Sequence, residues 1–186
     1  MSVDREKLRV LAESFGFRTP DRAELKTALQ LAEKLTHLKL GGPAQAERVQ
    51  AKSGCSLWVW GTPTTGFYYV IPLTHTGNEA VISGAFDPVT PDMDHIAGES
   101  DPFGGVYIGV YAGETHEARK AVMESSAHAR VEIFPHVACY ARAATEDGAR
   151  SMTSLGFYPL EGSLADLWTQ APLTSQSPQV KLPGAA

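Results

Sequence analysis

The chain has 186 residues and a formal net charge of −5; 43% of its residues are hydrophobic and 20% are charged. These values are typical of one ordinary domain that can bury a core without disulfides or metals. The scattered basic residues argue against a nucleic-acid partner. Because no apolar run approaches the about 20 residues of a membrane helix, and the charged start lacks the apolar segment of a signal peptide, we expect no membrane partner and a cytoplasmic location.

The first fifty residues have the spacing of helices. Residues 3–15 are predicted to form one, with Gly16 as its stop and an apolar face of Leu8, Leu11 and Phe15. The segment Thr19-Pro20-Asp21 predicts a second helix capped by Thr19, with an apolar stripe that begins at Leu25. The segment Gly41-Gly42-Pro43 is predicted to end that helix and to begin a shorter one that runs to about Ser53.

Short apolar segments typical of strands follow. We predict strands at Leu57–Trp60, at Phe67–Leu73 with Pro72 near a sheet edge, and at Glu79–Phe86. Aromatic residues are dense here, and we expect them to pack in the core, with a ligand-facing wall or a dimer contact as the alternative: Trp58, Trp60, Phe67, Tyr68 and Tyr69. The cysteines, Cys55 and Cys139, are too few for a disulfide framework and are expected to be buried free thiols.

The segment from Asp87 to Gly105 is rich in proline, aspartate and glycine and predicts a long loop, which in a compact domain is often functional. Its acidic residues and histidine suggest a metal site, but spacing without a complete ligand set favours a turn-rich acidic loop: Asp92, Asp94, His95, Glu99 and Asp101. We therefore predict no metal. As an alternative role, a carboxylate or His95 at the border of an acceptor site could deprotonate an incoming amine.

The segment Val106–Ala112 is apolar on both faces and is predicted to lie centrally in the sheet. Its alternation predicts one shared face for Val106, Ile108, Val110 and Ala112. Gly109, in the middle of this strand, indicates a bulge or a close approach by another group.

A helix opened by Gly113 and Thr115 is predicted to follow and to run to about Arg130. Its face of small residues lets it lie close to a sheet: Ala118, Ala121, Val122, Ser125 and Ala129. After Pro135, a strand is predicted at His136–Ala143. The two strands should be parallel neighbours joined by a right-handed crossover.

The remaining segment predicts a short helix capped by Thr145 and closed by Leu155-Gly156-Phe157. Residues 158–160 and 164–169 are predicted to pair as a hairpin. From Pro172 the composition predicts a disordered tail. The domain is therefore expected to span 1–171, with the tail at 172–186.

Residues 141–160, ARAATEDGARSMTSLGFYPL, resemble the strand, short helix and "LGF" ending of the GNAT N-acetyltransferase superfamily. The segment Phe17-Arg18-Thr19-Pro20-Asp21 is similar to a common opening of that family, in which a first strand leads into a helix. The strong part of the resemblance covers residues 106–170. It implies a mixed α/β GNAT-like fold, with a central mixed sheet flanked by helices.

The resemblance also implies a cofactor and a site for it. Members of the family hold acetyl-CoA or another acyl-CoA where two parallel central strands splay apart, here Val106–Ala112 and Val137–Ala143. The backbone near Val110 and Tyr111 would bind the pantetheine arm and thioester, and the following loop and helix N-terminus would hold the pyrophosphate. The cofactor-binding residues that the resemblance implies are Val110, Tyr111, Ala112, Gly113, Thr115, His116, Arg119 and Lys120.

The sequence departs from the family pattern at two places. The phosphate-binding loop of the family has the form Q/R-x-x-G-x-G/A, whereas this chain has GETHEARK at residues 113–120, without the internal glycines and with Glu114 and Glu117 instead. The family often places a tyrosine that protonates the leaving thiolate five residues before the Phe of the LGF ending, where this chain has Met152. No catalytic residue is therefore assigned.

Two functions follow as hypotheses. The first is acyl transfer from a CoA thioester to a small-molecule amine acceptor, with backbone N–H groups polarising the thioester carbonyl. The second is a catalytically silent GNAT-fold module that binds a small ligand or a protein partner, which the missing glycines and Met152 favour. A hydrolase that depends on cysteine or metal has little support. The exposed strand edges of such folds allow a homodimer.

Overall fold

The structure is a computed structural model that describes residues 2–163 and 166–173. The helices of these residues are α1 (Arg5–Ser14), α2 (Arg22–Thr36), α3 (Pro43–Ser53), α4 (His75–Ser83), α5 (His116–Glu132) and α6 (Glu146–Ser154). The strands are β1 (Phe17–Arg18), β2 (Leu57–Trp60), β3 (Gly66–Leu73), β4 (Gly105–Gly113), β5 (Ala138–Arg142), β6 (Tyr158–Pro159) and β7 (Leu167–Gln170).

The seven strands form a single mixed sheet in the order β1-β2-β3-β4-β5-β7-β6. Every neighbouring pair is antiparallel except β4 and β5, which are parallel and are connected through α5. This confirms the mixed α/β architecture. The antiparallel strands, the strand–helix–strand unit, the short helix and the terminal hairpin follow one another in the order that the sequence predicts.

Helices cover both faces of the sheet. On one face, α2, α3 and α4 contribute residues such as Leu25, Val49 and Val81 to a core cluster with Phe67 and Tyr69. On the other face, α1 and α5 pack against Trp58 and Tyr68, among other residues. Because side chains alternate along a strand, the predicted aromatic cluster divides between these two cores, and Trp60 is half-buried with its indole N–H donating to the Phe15 carbonyl at 3.1 Å.

The start of α2 differs from the prediction. Its N-cap is Asp21 rather than Thr19. The Asp21 carboxylate accepts from the Glu24 N–H at 2.8 Å, and the Glu24 carboxylate accepts from the Asp21 N–H at 3.2 Å. This capping box satisfies two backbone donors, whereas a Thr19 cap would satisfy one, so the later start is favoured. The helix ends at Thr36, ahead of the predicted stop at Gly41, because His37 adopts a left-handed conformation.

The predicted strand at Glu79–Phe86 is wrong, because this segment belongs mostly to α4. The helix begins one residue after Thr74, whose hydroxyl accepts from the Gly77 N–H at 3.0 Å, and it ends at Gly84 with φ 78°. Both caps are good helix signals, but the short apolar run of Ala80, Val81 and Ile82 has the composition of a strand.

The strand β3 lies between β2 and β4, but the end that contains Pro72 extends past β2, in agreement with the prediction that Pro72 places the end of this strand near an edge. Locally the proline is tolerated because pairing with β2 ends at Tyr69, which is opposite Leu57. Pro72 therefore lies beyond the β2 ladder, where its missing N–H removes no hydrogen bond with β2.

The bulge predicted at Gly109 is present, because Tyr69 and Val70 on β3 face Val110 and Ile108 on β4. The extra residue reverses the alternation of side chains along the strand. Val110 and Ala112 consequently join Tyr107 on the α2 face, while Val106 and Ile108 pack on the α5 face. The prediction that Val106, Ile108, Val110 and Ala112 share one face is therefore wrong.

The strand–helix–strand unit and the terminal hairpin follow the predictions closely. The buried residues of α5 are the predicted small-residue face. Thr145 caps α6, Gly156 has φ 83°, and the Phe157 N–H closes the helix on the Met152 carbonyl at 2.9 Å. The N–H of Leu173 donates to the Pro135 carbonyl at 2.8 Å. Of the predicted tail at 172–186, residues 174–186 lie outside the described residues, as do residues 164 and 165 of the predicted last strand.

Candidate functional site

The central parallel strands separate partway along their length. The strand β5 pairs with β4 only from Gly105 to Ile108, whereas β4 continues beside β3 as far as Gly113. The separation opens a cleft of about 430 Å³, which we call the splay cleft. Its walls are residues 108–113 of β4, residues 141 and 142 of β5, and residues from the end of α2, from α5 and from α6.

The two strands diverge for different reasons. On β4, the bulge at Gly109 bends the strand against β3, and the approach is so close that a Cβ on Gly109 would lie 2.9 Å from Tyr69 Cδ1. On β5, the chain leaves the sheet after Arg142 and enters α6, which begins at Glu146. The cleft is thus built into the backbone and needs no large side chain to hold it open.

The open edge of β4 presents backbone donors to the cleft. The Glu114 N–H donates to the Thr65 carbonyl at 2.8 Å, on the β3 side. Because N–H groups alternate between the two edges of a strand, those of Ala112 and Val110 also point towards β3. The N–H groups of Tyr111 and Gly113 therefore point towards the cleft, where β5 no longer supplies acceptors.

The first turn of α5 borders one mouth of the cleft. Thr115 caps the helix by accepting from the Ala118 N–H at 3.1 Å. The turn lies so close to the end of β4 that a Cβ on Gly113 would be 2.5 Å from the Arg119 backbone nitrogen. The Arg119 guanidinium donates to the carbonyls of Gly113 and Glu114 at 3.5 and 3.3 Å, so a cation lies at this end of the cleft.

Negative charge also lies at this helix terminus. The Glu117 carboxylate accepts from its own backbone N–H and from the Thr115 hydroxyl, and these hydrogen bonds lower the pKa of Glu117. This carboxylate therefore uses a donor that a phosphate would otherwise receive from the helix N-terminus. The Glu114 carboxylate is instead paired with Lys34 on α2 at 3.2 Å.

The α6 wall of the cleft is formed by small and apolar side chains, among them Gly148, Ser151 and Met152. The half-buried thioether of Met152 has no proton to donate. Asp147 also lines the cleft, and it is paired with Arg150 on the same helix. The wall therefore offers a surface for an extended ligand but no evident proton donor at Met152.

The opposite mouth of the cleft lies on the α2 face of the sheet. Leu35, Thr36 and Leu38 line it together with Arg142, the last residue of β5. The Arg142 Nε is buried and has no hydrogen-bond partner. Burial raises the pKa of Tyr107 on the same face to about 12, and the positive charge of Arg142 opposes that rise.

Five of the eight cofactor-binding residues that the resemblance implies line the splay cleft: Val110, Tyr111, Ala112, Gly113 and Arg119. The other three do not. Thr115 has the structural role of helix cap, and His116 and Lys120 are exposed on α5, where Lys120 pairs with Glu124 at 3.8 Å. Arg142 was not among the residues predicted from the sequence, although an arginine at the end of an otherwise apolar strand is a signal that could have drawn attention to it.

The long loop does not reach the splay cleft, since none of residues 87–104 lines it. The His95 ring lies 6.2 Å from Phe86, and its Nδ1 is buried without a partner. The structure therefore does not support a role for this loop in deprotonating an acceptor in the cleft. In the described ranges, no three histidine, cysteine or carboxylate side chains are grouped so that they could hold a metal ion.

Both cysteines are buried free thiols, as predicted. Burial raises the pKa of Cys55 to about 12 and that of Cys139 to about 11. Cys139 lines a second, apolar cavity of about 210 Å³ that shares Ile108 and Tyr111 with the splay cleft. A thiol with so high a pKa is almost entirely protonated near neutral pH, so neither residue is suited to act as a nucleophile.

Comparisons with known proteins leave the family open. No family model and no curated protein matches the sequence. Among solved structures, the chain is similar to Ard1 from Thermoplasma volcanium, with 12% identity, coverage of 82% of this chain and 93% of that chain, and a TM-score of 0.46. None of the helices formed by the described residues has both the length and the hydropathy that crossing a membrane requires.

Proposed function

We propose that this protein transfers an acyl group from a CoA thioester to an amine, with the thioester held in the splay cleft. The observation that carries the proposal is the pair of N–H groups, on Tyr111 and Gly113, that face the cleft where β5 has left β4. Backbone donors of this kind suit the amide and thioester carbonyls of an extended pantetheine arm. They also stabilise negative charge that develops on a carbonyl oxygen.

The residues of the cleft fit the arm of such a ligand better than its phosphates. When bound, an acyl-CoA would supply an activated thioester carbonyl. The acceptor nitrogen would bond to the carbonyl carbon as the carbon–sulfur bond breaks. The nitrogen would lose a proton, and the leaving thiolate would gain a proton. The chain's contribution is to hold the two reactants in line and to donate hydrogen bonds from Tyr111 and Gly113. Because Met152 has no proton to donate, we assign the proton that the thiolate gains to water in the cleft.

At the phosphate end, Arg119 and the α5 N-terminus attract an anion, while Glu117 repels it. Because Glu117 is exposed, its carboxylate can turn away into solvent when a phosphate arrives. Because interactions between an exposed carboxylate and a helix N-terminus are weak and are screened by salt, Glu117 weakens this end of the site without abolishing it.

The second candidate function is a catalytically silent module that uses the same cleft for a small ligand or a protein segment. Two observations favour it: Met152 provides no acid, and Glu117 already accepts from its own N–H at the helix terminus. The two candidates differ in whether CoA binds and whether its acyl group is transferred.

Calorimetric titration with acetyl-CoA and with free CoA tests the proposal. We expect saturable binding, and at least about tenfold weaker binding for Arg119→Glu, because a charge-assisted hydrogen bond contributes about 1.5–3 kcal/mol. Glu117→Gln should bind about 2–5-fold more tightly, in line with the helix-terminus effect. Arg48→Glu makes the same charge change at an exposed site on α3 and should leave the affinity unchanged.

Mass spectrometry after incubation with acetyl-CoA and a panel of small amines then tests transfer. N-acetylated product together with CoA release would support the acyltransferase. If CoA at millimolar concentration binds neither the unchanged protein nor Glu117→Gln, the acyltransferase proposal is overturned. Binding without any acetylated amine would favour the silent module.

A further inference from the structure

The two mouths of the splay cleft lie on opposite faces of the sheet. Along β5, Cys139 and Ala141 belong to the core on the α5 face, and Tyr140 belongs to the core on the α2 face. By the same alternation, the side chain of Arg142 extends on the α2 face. Arg119, at the start of α5, lies at the other mouth. The cleft thus has one cation at each end, separated by the plane of the sheet.

Arg142 differs from the other charged residues of the cleft in that, within the described ranges, its side chain forms no hydrogen bond or ion pair. Arg119 donates to two carbonyls, and Asp147 is paired with Arg150. Arg142 makes no ion pair with any residue of the described ranges, and its buried Nε has no hydrogen-bond acceptor. A guanidinium N–H that is removed from water without an acceptor is costly, so the site is incomplete without a ligand that supplies one.

We propose that Arg142 binds the carboxylate of the acceptor, so that the acceptor is a small amino-carboxylic acid. This inference rests on the acyl-transfer function proposed above and specifies the substrate class. A guanidinium presents parallel N–H donors that match the two oxygens of a carboxylate. The CoA phosphates are not the intended anion, because they would bind at the α5 mouth on the opposite face.

The position of Arg142 also fits the reaction. Its neighbour Ala141 is paired with Ile108, the last residue of β4 before the strands separate. An acceptor that enters from the α2 mouth therefore meets Arg142 beside the point where the cleft opens. The apolar side chains of Leu35 and Leu38 at this mouth offer no competing charge. A carboxylate held at Arg142 would leave an amine a few bonds away, directed into the cleft.

Two probes of nearly the same shape, one with a carboxylate and one with a neutral carboxamide, test this assignment. N-acetylglycine and N-acetylglycinamide mimic the smallest product with and without its carboxylate, and saturation-transfer NMR gives the Kd of each. We expect N-acetylglycine to bind at least about tenfold more tightly than the amide. Arg142→Gln should remove this preference, Arg142→Lys should keep part of it, and Arg48→Gln should keep all of it.

Equal affinity of the two probes for the unchanged protein would overturn the inference, as would a preference that persists in Arg142→Gln. Retention of the preference in Arg142→Lys shows that loss in Arg142→Gln reports on the charge and not on a fold that has failed. CoA is titrated into the same samples. A carboxylate preference that depends on Arg142 without any CoA binding would overturn the acyl-transfer proposal alone and leave the anion site in place.

Discussion

The two sides of β4 differ in how far they are paired. Towards β3, the pairing extends from Gly105 to Gly113 and is interrupted only by the bulge at Gly109. Towards β5, it stops at Ile108. We call these the closed seam and the open seam. The closed seam has large buried aromatic residues beside it on both faces, whereas the open seam leads into the splay cleft.

This contrast shows how one strand can serve stability and binding at once. The closed seam uses the hydrogen bonds of β4 to hold the sheet together. The open seam leaves the N–H groups of Tyr111 and Gly113 for a ligand. Since an unpaired backbone group is tolerated only where water or a ligand can reach it, the open seam has to lie at a cleft and could not lie within the core. Its accessibility is therefore a consequence of the pairing pattern.

The largest expected effect comes from breaking the core beside the closed seam. Trp58 is buried, and its indole N–H donates to the Cys55 carbonyl at 2.9 Å. Trp58→Ala should lower the free energy of unfolding by about 3–5 kcal/mol, as measured by urea denaturation. Trp168, on β7 beyond the open seam, is only half-buried. Trp168→Ala should lower the free energy of unfolding clearly less than Trp58→Ala does. An equal decrease in the two variants would contradict the contrast between the two seams.

A smaller effect should appear at alkaline pH. The folded-state pKa of each thiol is above its ordinary value of 9.0, at about 12 for Cys55 and about 11 for Cys139. The unfolded chain therefore loses these protons first, so stability is fully present below pH 9 and falls as the pH rises towards the folded values. Between pH 9 and 10, each thiol should contribute a loss of about 1 kcal/mol. The buried tyrosines, whose pKa values are also raised by burial, add to this loss as the pH approaches 10.

Denaturation at several pH values checks this, with one thiol removed at a time. Cys55 lies near the closed seam beneath Trp58, and Cys139 lies on β5 at the open seam. Cys55→Ala and Cys139→Ala should each reduce the loss of stability between pH 9 and 10 by about 1 kcal/mol, whatever their cost at neutral pH. If either variant retains the whole pH dependence, that thiol is not buried as the structure shows.

The smallest effect is expected at the bulge that joins the two seams. Gly109→Ala would place a Cβ 2.9 Å from Tyr69 Cδ1, so β3 and β4 must separate slightly. Overpacking of this kind lowers the free energy of unfolding by about 1–2 kcal/mol. Gly42→Ala is the matched control, since nothing lies within 4 Å of a Cβ there, and its cost should be within about 0.5 kcal/mol. Thermal denaturation of both variants distinguishes them. If Gly109→Ala leaves the stability unchanged, the close approach of Tyr69 to Gly109 is not required for the pairing of β3 and β4.

The sequence predicted the part of the fold that depends on local signals. The parallel unit and the short helix were found because their caps and small-residue face are visible along the chain, at Thr115, Thr145 and Gly156. The predicted strand at Glu79–Phe86 failed because Ala80, Val81 and Ile82 favour a strand by composition, and only the caps at Thr74 and Gly84 indicate a helix.

The candidate site was predicted in part. The family resemblance directed attention to residues 110–113 and Arg119, and the structure places these residues at the splay cleft. It could not indicate that Thr115 is used as a cap or that His116 and Lys120 lie outside the cleft. Arg142 was missed because its significance depends on which face of the sheet it occupies and on the absence of a partner among the described residues.

By itself the sequence determined the order of helices and strands apart from α4, the central place of β4 and an irregularity at Gly109. These depend on hydrophobic pattern and on backbone preferences within a few residues. Only the tertiary structure decided where β5 leaves β4, which N–H groups face the cleft, and that cations lie at both of its mouths. The physical reason is that pairing and charge compensation are relations between residues far apart in the chain. A bulge of one residue was enough to change the face of every side chain after it in β4.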